Sequence, residues 1–148
     1  MIVRRETVLS AAPETIWETV ADPRKLPAWW PAVTRVEDAS PEAWTTVLTS
    51  PKGKVVRADY TRTEADEPRR IAWTQELEET PFERILASAT TTIELEPAPG
   101  GTRVALRLEQ RPRGWARFAP VQFRGAGSRQ ADGAIAGLEE LFGPGGGD

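Results

Sequence analysis

Tyr60 is the only tyrosine in a chain of 148 residues that has neither histidine nor cysteine. Those two absences remove thiolate nucleophiles, disulfides, Ser-His-Asp and Cys-His arrangements and the usual zinc ligands. They also remove the side chain that titrates near neutrality. Any chemistry is left to Tyr60, hydroxyls, carboxylates, three lysines and the arginines. Asp59 and Arg57 share one side of an expected strand, where an outward cross-strand charge pattern is the simplest role. Glu76, Glu78 and Glu79 read as a solvated edge and turn. Arg124 falls on the apolar arc of an expected C-terminal helix, one turn below Ser128. Pointing inward it would require a carboxylate or an anionic ligand group; the simpler placement is snorkelling to solvent near the helix start. These residues do not form a catalytic set. No catalytic residue, metal site or cofactor is assigned, and the balance tips from catalysis towards binding.

The elements that would position these groups follow from periodicity. Residues 2–10 read as a first strand. Pro13 followed by Glu14 opens a short helix whose Ile16, Trp17, Val20 and Ala21 fall one turn apart, and Asp22-Pro23 starts a second helical turn. From Val33 to Gln110 the period is two, with strands expected at 33–39, 43–50, 54–64, 70–78, 84–96 and 102–111. They are broken by Ser40-Pro41, Pro51-Lys52-Gly53, Glu67-Pro68, Thr80-Pro81 and Pro99-Gly100-Gly101. Short connections predict antiparallel neighbours. The inward faces are expected to carry Val56, Ala58 and Tyr60; Ile71, Trp73, Gln75 and Leu77; Ile85, Ala87, Ala89, Thr91, Ile93 and Leu95; and Val104, Leu106 and Leu108. Phe123, Gly127, Ala131, Ala134, Leu138, Leu141 and Phe142 recur at helical spacing, which predicts one long helix over 118–142. The chain reads as one α+β domain over 1–142, with a disordered Gly-rich tail at 143–148.

The stretch Val8-Leu9-Ser10-Ala11-Ala12-Pro13-Glu14-Thr15-Ile16-Trp17, then Ala21-Asp22-Pro23, then Trp29-Trp30-Pro31-Ala32-Val33, resembles the polyketide cyclase/dehydrase branch of the START-like (Bet v 1-like, SRPBCC) superfamily. Asp59-Tyr60 in a long strand, Pro68-Arg69-Arg70-Ile71 opening the next, and the closing helix extend the resemblance over nearly the whole chain. It implies a helix-grip fold: a curved seven-stranded sheet around the C-terminal helix, with a cavity between them. Members bind lipids, sterols, polyketides, hormones or quinones, and some are cyclases or aromatases. Fold alone does not choose among these.

The helix face is bulky at its ends and small at Gly127, Ala131 and Ala134. A chamber beside Gly127 is therefore expected, lined by Tyr60, Ile71, Trp73, Gln75, Ala89, Thr91, Leu106, Phe123, Arg124, Gly127 and Ala131. Close helix–sheet packing is the competing reading. Trp17, Trp44 and Trp73 read first as core. Trp29 and Trp30 are adjacent, so one is expected in the core near the cavity mouth and the other elsewhere. The expected ligand is a small hydrophobic molecule: lipid, polyketide, isoprenoid or aromatic metabolite. A polyketide cyclase/aromatase is the alternative, and a protein-interaction module without a ligand is a third reading. Pocket polarity separates the first two, since a cyclase needs several converging polar groups.

Charge is unevenly spread. Segment 103–129 holds seven arginines and one carboxylate, Glu109, a local +6; the remainder carries −9 of the net −3. Trp115, Phe118 and Phe123 lie among these arginines, which suggests transient contact with an anionic membrane or an acidic carrier, against the simpler reading of a solvated basic face. The overall acidic balance argues against nucleic acid as a partner. No apolar run of transmembrane length and no signal core is present, so a cytoplasmic monomer or homodimer is expected.

Overall fold

The computed structural model describes residues 1–145, with the side chains of Pro120 and Phe123 left aside. The elements are β1 (Ile2–Leu9), α1 (Pro13–Val20), a 3-10 turn (Pro23–Ala28), β2 (Val33–Glu37), β3 (Ala43–Thr49), β4 (Val55–Asp66), β5 (Arg70–Gln75), a 3-10 turn (Pro81–Arg84), β6 (Leu86–Ala98), β7 (Gly101–Pro112), a 3-10 turn (Gly114–Phe118) and α2 (Pro120–Phe142). All seven strands form one antiparallel sheet in the order β1-β7-β6-β5-β4-β3-β2. This is the helix-grip arrangement that the family resemblance implies.

Local chemistry explains the joints. Pro13 sits in the first turn of α1, where its missing N–H costs nothing, and Glu14 complements the helix dipole. Asp22 caps the following turn by accepting from the Arg24 N–H at 3.0 Å. At the β6–β7 hairpin, Gly101 has φ 150°, and a Cβ there would fall 1.8 Å from the Leu9 carbonyl oxygen. Only glycine allows β1 to pass that close.

One core lies between sheet and helices. Leu9, Ile16, Ile71, Ile93, Leu106 and Leu138 are its largest fully enclosed side chains. Helix α2 enters this core through Ala131, Ala134 and Leu138. Gly137 lets the helix come still closer: a Cβ there would sit 2.2 Å from the Trp29 carbonyl oxygen. The outward sheet face is an ion-pair lattice. Arg70 bridges Glu64 and Glu94, Arg103 bridges Glu6 and Glu96, and Glu37 joins Arg35 and Arg57.

Several expectations need correction. Ile85 and Ala87 are not on the inward face; Leu86 is buried and Ala87 exposed, because the β6–β7 register shifts between Leu86 and Ser88. A bulge of one residue flips the side-chain phase ahead of it. Leu77 and Leu86 belong to a small separate cluster with Ala89. Trp29 and Trp30 are both buried in the same core, in edge-to-face contact at 5.3 Å. The backbone turns at Trp29 (φ −140°, ψ −23°), so adjacent side chains need not diverge as they would on a strand. The Gly-rich end is not free from Gly143: its carbonyl accepts from the Ser10 N–H, the Gly145 N–H donates to Val8, and Pro144 bridges Leu9. Unpaired backbone groups at the end of β1 hold it; 146–148 lie outside the described residues.

Candidate functional site

Cross-strand pairing builds one wall of a cavity row by row. Trp44 on β3 lies opposite Tyr60 on β4, and Tyr60 opposite Gln75 on β5. Trp73 on β5 faces Thr91 on β6, and Thr91 faces Leu108 on β7. Ala89 is paired with Gln110. Strand alternation carries Trp44, Thr46 and Leu48 to the same face. Helical residues complete the enclosure: Leu26 and Trp30 from the Pro23–Ala28 turn and its exit, and Gln130 from α2. Val33 and Thr90 also border the space, whose volume is about 60 Å³.

Aromatic rings dominate the wall. Trp44 stacks on Tyr60 with centroids 6.1 Å apart and planes at 15°. Trp73 meets Trp44 edge-on at 5.8 Å and Trp30 at 6.1 Å. Against these rings stand neutral polar groups: Thr46, Thr90, Thr91 and the amides of Gln75, Gln110 and Gln130. Among the described residues, none of the three Gln side-chain amides hydrogen-bonds within the protein. The Trp44 indole N–H is buried without an acceptor. A buried donor without a partner is costly, so an acceptor brought by a guest would be well rewarded.

No carboxylate, lysine or arginine lines the cavity. Its one titratable group is Tyr60. Burial pushes the phenol up to about 12, against a smaller opposing effect of the Thr46 hydroxyl. At neutral pH Tyr60 is therefore a protonated donor and not a base. Among the described residues, no cluster of acidic side chains is suited to a metal ion.

The structure brings together Tyr60, Trp73, Gln75, Ala89 and Thr91 of the expected site. Ile71, Leu106 and Ala131 are buried in the core but do not border the cavity. Gly127 does not border it either; its missing Cβ is explained by Val3, whose methyl would lie 3.3 Å away. The space lies beside Gln130 and not beside Gly127. Arg124 is exposed. Val121, Gln122, Arg124 and Ala126 are exposed in the first turns of α2, and the first buried residue among those described on this helix is Gly127. The Phe123 side chain lies outside the described residues. Sequence reasoning missed Gln110 and Gln130 as wall residues, and left Trp44 in the core. The signals existed: Gln110 is two residues beyond Leu108 on one strand face, and Gln130 is three beyond Gly127 and four before Ala134 on one helix face.

Residues 1–143 match the family model described as polyketide cyclase / dehydrase and lipid transport. Solved structures share the fold at low identity. The steffimycin-pathway di-domain aromatase/cyclase StfQ superposes with a TM-score of 0.76 at 16% identity, covering 94% of this chain and 49% of that one. Protein NE0264 from Nitrosomonas europaea gives 0.70 at 20% identity, covering 95% and 93%. Protein Ms6760 from Mycobacterium smegmatis gives 0.70 at 22%, covering 95% and 89%. No curated protein matches the sequence.

Proposed function

The chain belongs to the polyketide cyclase / dehydrase and lipid transport family, and from that premise we propose that it binds a neutral, oxygen-bearing aromatic or isoprenoid molecule in the cavity beside Gln130. The observation that carries this reading is the composition of the wall: four large aromatic rings, unpartnered neutral amides, one orphaned indole N–H and no ionised side chain. Rings supply apolar contact area and stacking. The Trp44 N–H, the Tyr60 hydroxyl and the Gln amides supply orientation to carbonyl or hydroxyl oxygens. A carboxylate ligand would lose its hydration without meeting a cation.

At about 60 Å³ the cavity is smaller than the roughly 150 Å³ that admits a benzene ring. A ring system therefore enters by displacing wall side chains. Leu48, Tyr60, Gln75, Thr90, Gln110 and Gln130 are the half-buried ones, and of these Leu48 and the three unbonded glutamines cost least to move.

Cyclisation of a poly-β-ketone is the second reading. It is favoured by a protonated Tyr60 facing the same space as three free amides, which is the convergence of polar groups that folding and enolising such a chain requires. The absent general base weighs against it.

Native mass spectrometry of the full chain mixed with equal amounts of flavone, a neutral aromatic ketone, and palmitate tests the first reading. It predicts a flavone complex in clear excess. A palmitate complex in equal or greater amount would contradict it. Turnover of a poly-β-ketone thioester mimic above the buffer rate, lost in Tyr60→Phe, would move the assignment to the second.

A further inference from the structure

The segment that joins β7 to α2 projects apolar side chains that the fold does not use. Trp115 is 65% exposed, Phe118 81% and Val121 82%. The turn that carries them is fixed, since Ala116 between them is fully buried. The Arg113 N–H donates to the Ile85 carbonyl at 2.7 Å, which docks this turn on the Pro81–Arg84 turn. The projection is thus a held feature of the surface.

The arginines divide in the same way. On the sheet and near α1, Arg4, Arg5, Arg24, Arg35, Arg57, Arg69, Arg70, Arg103 and Arg107 each have a carboxylate within 4.0 Å. Among the described residues, Arg84, Arg111, Arg113, Arg117, Arg124 and Arg129 have none, and all six are exposed; Arg62 also has none, but it is half-buried and donates to the Ala21 carbonyl. Arg113 and Arg117 reach only the Glu83 and Gly114 carbonyls, and Arg117 lies 5.8 Å over the Phe118 ring. The Glu83 carboxylate, on the residue whose carbonyl Arg113 reaches, accepts instead from the Glu79 N–H.

We propose that this corner, Trp115, Phe118 and Val121 ringed by Arg113, Arg117 and Arg124, docks on an anionic lipid bilayer. Phe118 and Val121 stand clear of the protein, as side chains that enter a soft interface do, while a nested protein contact would need a concave seat. Trp115 suits the headgroup level, and arginines beside it reach lipid phosphates while their stems stay apolar.

Co-sedimentation of the full chain with vesicles of phosphatidylcholine alone, and of phosphatidylcholine with phosphatidylglycerol, tests this. Retention is expected on the anionic vesicles only, and high salt should release it. The Phe118→Ser/Val121→Ser pair should weaken retention roughly tenfold, and Arg113→Gln or Arg117→Gln about fivefold each. Arg24→Gln, in the Asp22 ion pair, should leave retention unchanged. Circular dichroism confirms that each variant is folded. Equal retention on both vesicle types, none on either by the folded chain, or an equal loss in Arg24→Gln would overturn the proposal. So would capture by an acidic carrier protein with no vesicle binding.

Discussion

Trp29, Trp30, Trp44 and Trp73 are at most 9% exposed, and rings contact one another around or behind a cavity with no ionised side chain. Trp115 is 65% exposed beside arginines that have no carboxylate partner among the described residues. Helix α2 spans the two environments. Its second half is fixed to the core by Ala131, Ala134, Leu138 and the close approach at Gly137, while Val121, Gln122, Arg124 and Ala126 of its first turns are exposed. The difference teaches that aromatic residues here serve two media. Inside they make a neutral wall; outside they stand at a charged edge. Surface ion pairs add little stability in either place, so the core side chains and the close helix contacts set the stability.

The largest effect should come from making an inner tryptophan like the outer one. Trp73→Ala removes a buried ring that touches two others and should cost about 3–5 kcal/mol, whereas Trp115→Ala should stay within about 0.5 kcal/mol; urea unfolding of both variants measures the gap. The two halves of α2 offer a second contrast. Gly137→Ala forces a methyl onto the Trp29 carbonyl and should lose about 1–3 kcal/mol despite alanine's better helix propensity. Gly125→Ala meets only the Arg129 guanidinium at 3.5 Å and should gain up to about 1 kcal/mol. Thermal unfolding that moved both the same way would break the contrast. A smaller effect is expected at Trp44→Phe, which deletes the orphaned donor: flavone affinity should fall about fivefold, the worth of one hydrogen bond, by tryptophan fluorescence titration.

The smallest effect appears only at high pH. The phenol of Tyr60 is held near 12, above its ordinary 10, so burial favours the neutral form. An unfolded chain would ionise first. The stability Tyr60 contributes is therefore complete below pH 10 and is lost as pH rises from there through 12. With a single tyrosine, ultraviolet difference titration should show no tyrosinate until the upper end of that range.

Periodicity and turn residues were enough to locate every strand within a few residues, because each strand has one buried face and proline or glycine near its ends. The α+β class was legible for the same reason, and the family resemblance supplied the helix-grip arrangement. Parts that depend on departures from periodicity were not. The bulge between Leu86 and Ser88 reverses a face without any glycine to mark it. The turned backbone at Trp29 buries two adjacent rings. On the helix, the wheel reports which residues share a face but not how far the sheet extends beneath them, so Arg124 falls on the apolar arc yet takes the solvent placement that was its simpler reading. Gly127 and Gly137 illustrate the ambiguity of small residues: both answer to a neighbour, Val3 or Trp29, and neither opens a void. The wall residues Gln110 and Gln130 were hidden by their polarity, since an inward amide breaks the apolar pattern that identifies a core.

The central claim is that Trp44 offers its indole N–H to a neutral ligand. Nitrogen–proton correlation spectra of the six indole groups, recorded with and without flavone and assigned by Trp44→Phe, test it most directly. The Trp44 resonance should move downfield on binding as its proton gains an acceptor. Trp29, whose N–H is also buried and unpaired but does not border the cavity, should show no such shift. Binding with Trp44 unmoved, or with the shift confined to Trp115, would contradict the account.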